Sequence, residues 1–174
     1  LETAAGTGQV TRLLAAALPD ARIVATDLSA EMMARAAAVT SHPGVTWEIA
    51  DMLSLPFPDS AFELVVCQFG LMFVADQTAA FREASRVLAP GGRYLFNVWA
   101  SVETNEIPKI TAGVVKAALG STQTFMERMP HGHGDPAVVE RKLRDAGFTR
   151  ITVDSVKLRS RAPSARDAAL GIIQ

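Results

Sequence analysis

The stretch Leu1-Glu2-Thr3-Ala4-Ala5-Gly6-Thr7-Gly8 decides how this chain is read. Small residues without bulk or branching run directly into Gln9–Leu18, whose apolar spacing is helical, so the segment reads as the end of a strand turning sharply into a helix N-terminus. The first turn of a helix leaves its N–H groups without intrahelical partners, and small residues let another molecule approach them. The same turn also serves simple tight packing of strand against helix, and taken alone the stretch leaves both uses open.

Outward from this turn the pattern repeats. Short β-branched or aromatic runs at Ile23–Thr26, Val45–Ala50, Glu63–Cys67, Arg93–Trp99 and Ile151–Leu158 alternate with helical patterns at Gln9–Leu18, Ser29–Val39, Gln77–Ala89, Glu106–Leu119 and Pro136–Ala146. Strand followed by helix, again and again, is the sequence form of βαβ units around a parallel sheet. Ser29, Asp76 and Asp135 are placed to cap helices, with Pro136 at a first helical position and Gly147 at a helix end. A final helix is expected from Ser164, which with Asp167 has capping-box spacing. Most of the first strand is expected upstream of Leu1 and the last helix has no terminator before Gln174, so the natural protein is expected to be longer.

Composition narrows the class. The chain has 174 residues, 17 Lys and Arg against 18 Asp and Glu, and 49% apolar residues, the make-up of one globular domain over residues 1–174. Its single cysteine, Cys67, excludes a disulfide framework and a multi-cysteine zinc site, and makes a reducing, cytoplasmic compartment the expectation. No run of uncharged apolar residues is long enough to span a membrane, despite a mean hydropathy of +0.19. Cations are scattered singly rather than in a stripe, which argues against nucleic acid as partner.

Acidic residues then sharpen the reading of the turn. Asp27 closes the second strand 19 residues after Gly8, where a carboxylate can accept from both hydroxyls of a ribose. Turn and acid together indicate an adenosine ligand. Glu2 discriminates among such ligands: a pyrophosphate would be repelled by a carboxylate just before the turn, whereas a cationic sulfonium and ammonium would be favoured. Asp51, 24 residues after Asp27, could accept from the adenine amine or be an exposed turn residue.

In these features the chain resembles the class I S-adenosylmethionine-dependent methyltransferases, in particular the small-molecule group that includes the ubiquinone and menaquinone biosynthesis enzymes. The resemblance runs from Leu1 to about Phe148. Residues 1–8 match the acid-x-Gly-x-Gly-x-Gly motif, with Glu2, Gly6 and Gly8 in place, Thr7 between the glycines, and Ala4 where the first glycine is usual. Thr26-Asp27-Leu28-Ser29-Ala30-Glu31-Met32 is similar to the segment whose acid binds ribose and whose apolar residues, here Leu28 and Met32, flank adenine. Ala50-Asp51-Met52, Phe62–Cys67 and Arg86-Val87-Leu88-Ala89-Pro90-Gly91-Gly92-Arg93 follow at family spacing. The resemblance implies a Rossmann-like three-layer αβα fold with a mainly parallel sheet of order 3-2-1-4-5 plus a later strand, read here at Ile151–Leu158. It also implies S-adenosylmethionine as cofactor and S-adenosylhomocysteine as product. The family normally adds an antiparallel seventh strand between the fifth and sixth; nothing after Leu158 reads as a strand, so it is expected to be missing from this chain or to lie in C-terminal residues outside it.

The acceptor is expected beyond the strand ends. Gln68, directly after the fourth strand, is expected at the cofactor's methyl end. Phe69, Met72, Phe73 and Trp99 are the acceptor-side candidates, under a cover drawn from residues 101–135. The run Leu71-Met72-Phe73-Val74 reads equally as a buried helical turn. His131 and His133, in Pro-His-Gly-His-Gly-Asp, are candidate general bases or else solvated loop histidines. Cys67-Gln68-Phe69-Gly70 lacks the Asn/Asp-Pro-Pro-aromatic motif of DNA adenine methyltransferases, and Gln68 with Asn97-Val98-Trp99 supplies no carboxylate for Mg²⁺. The expectation is methyl transfer to a small, partly apolar acceptor without metal, with the acceptor atom and the oligomeric state left open. The alternatives are a non-catalytic S-adenosylmethionine-binding module and an NAD(P)-binding oxidoreductase, the latter opposed by Glu2 and by Thr11 where a third glycine would stand.

Overall fold

The computed structural model describes residues 1–120, 124–159 and 161–167. Its elements are β1 (Glu2–Thr3), α1 (Gln9–Ala17), β2 (Ile23–Asp27), α2 (Ala30–Val39), β3 (Val45–Ile49), β4 (Phe62–Gln68), α3 (Gln77–Val87), β5 (Leu88–Asn97), α4 (Glu106–Leu119), α5 (Phe125–Arg128) and α6 (Pro136–Asp145). The five strands form one sheet in the order β3-β2-β1-β4-β5, and every pairing is parallel. Right-handed crossovers along this order put α1 and α2 on one face of the sheet and α3 on the other, the three-layer arrangement expected.

Local chemistry accounts for the helix starts. Ser29 accepts from the Met32 N–H, Asp76 from Ala79 and Asp135 from Ala137, with Pro136 in the first turn of α6. Thr124 and Glu127 form a capping box that opens the short α5, an element not expected from the sequence. Ser164 accepts from the Asp167 N–H as its spacing predicts; the rest of that last helix lies outside the described residues.

The core lies between β4, β5 and the helices α3 and α6. Val65, Ala84, Val87, Leu88 and Leu55 form one cluster, and Cys67, Leu71, Ala80, Phe81, Val139 and Leu143 another. Both clusters draw on α3, whose buried stripe of Ala80, Phe81, Ala84 and Val87 follows helical spacing. Cys67 is fully buried, and burial raises its thiol pKa, the state of an inert core residue. Residues 50–61 connect β3 to β4 without a helix. Arg86 of α3 pins that loop, donating to the carbonyls of Leu55 and Phe57 and to Glu83 and Asp59.

Two expectations are corrected. Helix α3 ends at Val87 and β5 begins at Leu88, several residues earlier than the periodicity predicts, because Leu88 already pairs with Phe62 and the Pro90-Gly91-Gly92 turn is absorbed as an irregularity within the strand. The later strand expected at Ile151–Leu158 is without regular secondary structure and unpaired among the described residues, and beyond half-buried Ile151 the segment is exposed. Alternation makes a strand only where a ladder partner exists. The strand that the resemblance would place between this segment and β5 has no counterpart among the described residues.

Among the described residues no helix is long and apolar enough to cross a membrane.

Candidate cofactor and acceptor site

Strands β1, β2 and β4 end side by side, and the loops leaving them create the site. Three residues of the first loop are left-handed: Ala4 at φ +52°, Gly6 at +56° and Gly8 at +76°. For Ala4 that conformation costs about 1–2 kcal/mol, since its Cβ crowds the following carbonyl. Compensation comes from packing: the Ala4 methyl sits in the apolar cluster with Met52 and Val74. Gly70 leaves the space for it, because a Cβ at position 70 would collide with the Ala4 methyl and stand 3.0 Å from Cys67 Sγ. Gly8 has no such latitude. A Cβ there would lie 2.6 Å from Trp47 Cη2 and 3.1 Å from the Ala36 methyl, so the turn seats α1 against α2 and β3.

Asp27, the last residue of β2, is the hinge of the arrangement. Its Oδ2 accepts the Gly6 N–H and its Oδ1 the Ser29 N–H, each at 2.9 Å. The carboxylate thus ties the glycine loop to the start of α2, while Ser29 itself is the N-cap. A carboxylate oxygen has more than one acceptor direction, so each oxygen retains capacity for a further donor. Beside it Leu28 is 66% exposed and Met32 47% exposed, two apolar side chains with a face uncovered by the fold. Nearby, Asp51 Oδ1 accepts from the Leu53 N–H in a turn closed by Ser54 N–H to the Asp51 carbonyl. Asp51 is half-buried rather than fully exposed. A carboxylate with spare acceptors, an apolar flank and a second acid at the next strand end fit a nucleoside.

Glu2 is placed differently from the sequence expectation. It is 1% exposed and accepts a 2.6 Å hydrogen bond from Thr11 Oγ1 of α1. Burial raises its pKa, with the Thr11 bond opposing. Its side chain is engaged beneath the loop rather than on its surface, so any influence on a cationic ligand acts from below.

The acceptor side stands on the ends of β4 and β5. Gln68 pairs in register with Asn97 and is half-buried. Phe69 follows at φ +56°, an uncommon conformation for an aromatic residue, held by its N–H bond to the Asn97 carbonyl. This turns its ring onto Trp99, with centroids 4.5 Å apart and planes 16° from parallel. Phe73 and Trp99 are about half exposed, whereas Met72 lies in a 3₁₀ turn and is only 3% exposed. Met72 is therefore corrected from acceptor-side residue to core residue. The turn is held by Gln77, whose amide donates to the Leu71 carbonyl and whose oxygen accepts from Lys142.

His131 is also corrected as a solvated loop residue. It is 6% exposed, its Nδ1 lies 2.8 Å from the Ala100 carbonyl, and its ring packs near Trp99. His133 is half-buried, and burial followed by the charge of Lys142 lowers its pKa. Of the expected cover, α4 buries only Ala112 and leaves Ile110 and Val114 exposed.

A family model described as a methyltransferase domain matches residues 1–96, more than half of the chain. The chain belongs to that family. This methyltransferase domain is 38% identical over 104 residues to the ubiquinone/menaquinone biosynthesis C-methyltransferase of Caulobacter vibrioides, a match over 55% of this chain and 41% of that protein. It is 35% identical over 114 residues to the malonyl-[acyl-carrier protein] O-methyltransferase of Hahella chejuensis, over 66% of this chain and 41% of that one. The domain thus spans less than half the length of the curated relatives it matches. In fold it is similar to a chain of the complex between the Haloferax volcanii Trm112 methyltransferase activator and a methyltransferase, with a TM-score of 0.71 at 23% identity over 95% of this chain and 68% of that one.

Proposed function

We propose that this methyltransferase domain transfers a methyl group from S-adenosylmethionine to a small, partly apolar acceptor. The observation that carries the reading is Asp27, which closes β2 and holds the glycine loop by the Gly6 N–H while keeping acceptor capacity for two vicinal hydroxyls. Asp27 would hold the ribose, Leu28 and Met32 would flank the adenine, and Asp51 with Met52 would close its far edge. The loop Ala4–Gly8 would receive the methionine part, with Gln68 at the reactive end.

Bound there, S-adenosylmethionine supplies a methyl group on a cationic sulfur, open to in-line displacement. What the chain contributes is alignment and exclusion of water. Phe69 and Trp99, stacked on each other at the ends of β4 and β5, would offer an aromatic wall to the acceptor. Among the curated relatives one is named a C-methyltransferase and another an O-methyltransferase, which supports a carbon or oxygen acceptor.

Isothermal titration with S-adenosylhomocysteine, S-adenosylmethionine and NAD tests the first half: binding of the first two and none of the third is expected, and NAD binding alone would overturn the reading. Turnover against phenols, quinols, enols and acids tests the second half. Cofactor binding without turnover on any of them would identify a non-catalytic binding module instead.

A further inference from the structure

We propose that His131 is the base that receives the acceptor's proton, through Nε2, at the wall formed by Phe69 and Trp99. The inference rests on the methyl-transfer reading above and goes on to name the proton's destination and the acceptor class, an acidic hydroxyl such as a phenol or enol.

The histidine is held from several sides. Its Nδ1 meets the Ala100 carbonyl at 2.8 Å and its backbone N–H donates to the Met126 carbonyl at 3.0 Å. Gly134, three residues on, has no room for a side chain: a Cβ there would collide with the Trp99 carbonyl and lie 2.8 Å from the Ala100 Cα. A carbonyl oxygen can only accept, so Nδ1 carries hydrogen, and in the neutral ring Nε2 is the bare nitrogen. Among the described residues no hydrogen bond engages Nε2, and the only sealed side-chain atom without a partner is Thr40 Oγ1. Among the described residues Nε2 is thus left without a hydrogen-bond partner, on a residue that is 6% exposed.

Its place matters as much as its tautomer. Phe69 stands one residue past β4, Trp99 two past β5, and the His131 ring lies 6.1 Å from that of Trp99. Phe69 and Trp99 stand at the carboxyl ends of β4 and β5, where ligands of open α/β sheets bind, and the His131 ring lies beside Trp99. His133 has no comparable anchor among the described residues. The step balances simply. The acceptor's O–H bond breaks with its proton moving to Nε2, and the electron pair left on the acceptor, at oxygen or at the conjugated carbon, forms the new bond to methyl. The sulfur–methyl bond breaks with its pair remaining on sulfur, and imidazolium later returns the proton to water.

The test uses the full chain and the variants His131→Asn and His131→Gln. Asparagine keeps an N–H donor for the Ala100 carbonyl but has no base. First, imidazole ¹⁵N correlation spectra of the free protein should show His131 protonated at Nδ1 and bare at Nε2; the opposite tautomer overturns the proposal. Second, the protein saturated with S-adenosylhomocysteine is titrated with 4-nitrophenol at a pH where the free phenol is mostly protonated. Wild type should develop the phenolate absorbance band, and each variant should lose it by roughly tenfold or more, with melting temperature and S-adenosylhomocysteine affinity unchanged in His131→Asn. A band absent in wild type, or equal in the variants, reduces His131 to a tether and overturns the proposal. Failure of S-adenosylhomocysteine to bind wild type overturns the methyl-transfer reading itself, and the proposal with it.

Discussion

Replacing Asp27 separates a structural strut from a cofactor ligand. Each carboxylate oxygen accepts one backbone N–H at 2.9 Å, from Gly6 and from Ser29. Hydrogen bonds to a charged group contribute about 1.5–3 kcal/mol each, and the lower end applies to a site that water can reach once the side chain is gone. Asp27→Ala should therefore cost about 3 kcal/mol of stability, and Asp27→Asn, which keeps one acceptor oxygen, about half of that. For a chain of this size 1 kcal/mol moves the melting temperature by about 2–4 °C, so the alanine variant should melt about 6–12 °C lower. If the same carboxylate also accepts from the ribose hydroxyls, S-adenosylhomocysteine affinity measured by titration calorimetry should fall roughly 10- to 150-fold in Asp27→Ala, with Asp27→Asn in between. Both effects are expected together because the loop that Asp27 holds is the loop that meets the ligand. A melting temperature lowered as worked here, with affinity unaltered, would leave Asp27 as a strut alone and refute the nucleoside assignment.

Other residues give separate checks. Gly8→Ala places a methyl at 2.6 Å from Trp47 in a left-handed backbone, and should cost about 2–4 kcal/mol in chemical denaturation; a loss below about 1 kcal/mol would contradict the packing described. Glu2 has a folded pKa above its ordinary value of 4.5 because it is buried, so its stabilising contribution is complete below that value and is lost as pH rises through the folded one. Glu2→Gln keeps an acceptor for Thr11 and should be at least as stable near neutrality, with a flatter thermal-stability profile across that window; a large loss at neutral pH would show that the charge itself stabilises the fold. Gln68→Ala should lower turnover more than S-adenosylhomocysteine affinity, and equal losses would place Gln68 in the cofactor site only.

What the chain reveals without its fold is whatever depends on local order. Small residues passing into Gln9–Ala17, an acid at the end of each of the next two strands, and caps at Ser29, Asp76 and Asp135 mark the βαβ units because strand, turn and helix start are each decided within a few residues. Their spacing likewise exposes Asp27 as the acid paired with the glycine turn. Tertiary structure decided the rest. Met72 and Phe73 are neighbours of similar hydropathy, yet one is core and the other half exposed, since only the packing of the 3₁₀ turn on α3 chooses between them. The left-handed Ala4 is tolerated because Gly70, 66 residues away, leaves room for its methyl. His131 reads as a loop residue until residues 99–100 come to meet it, 31 positions back in the chain. The alternation at Ile151–Leu158 promises a strand that no ladder partner completes among the described residues. Each of these outcomes depends on contacts between residues distant in sequence, and local pattern carries no information on which distant surface arrives.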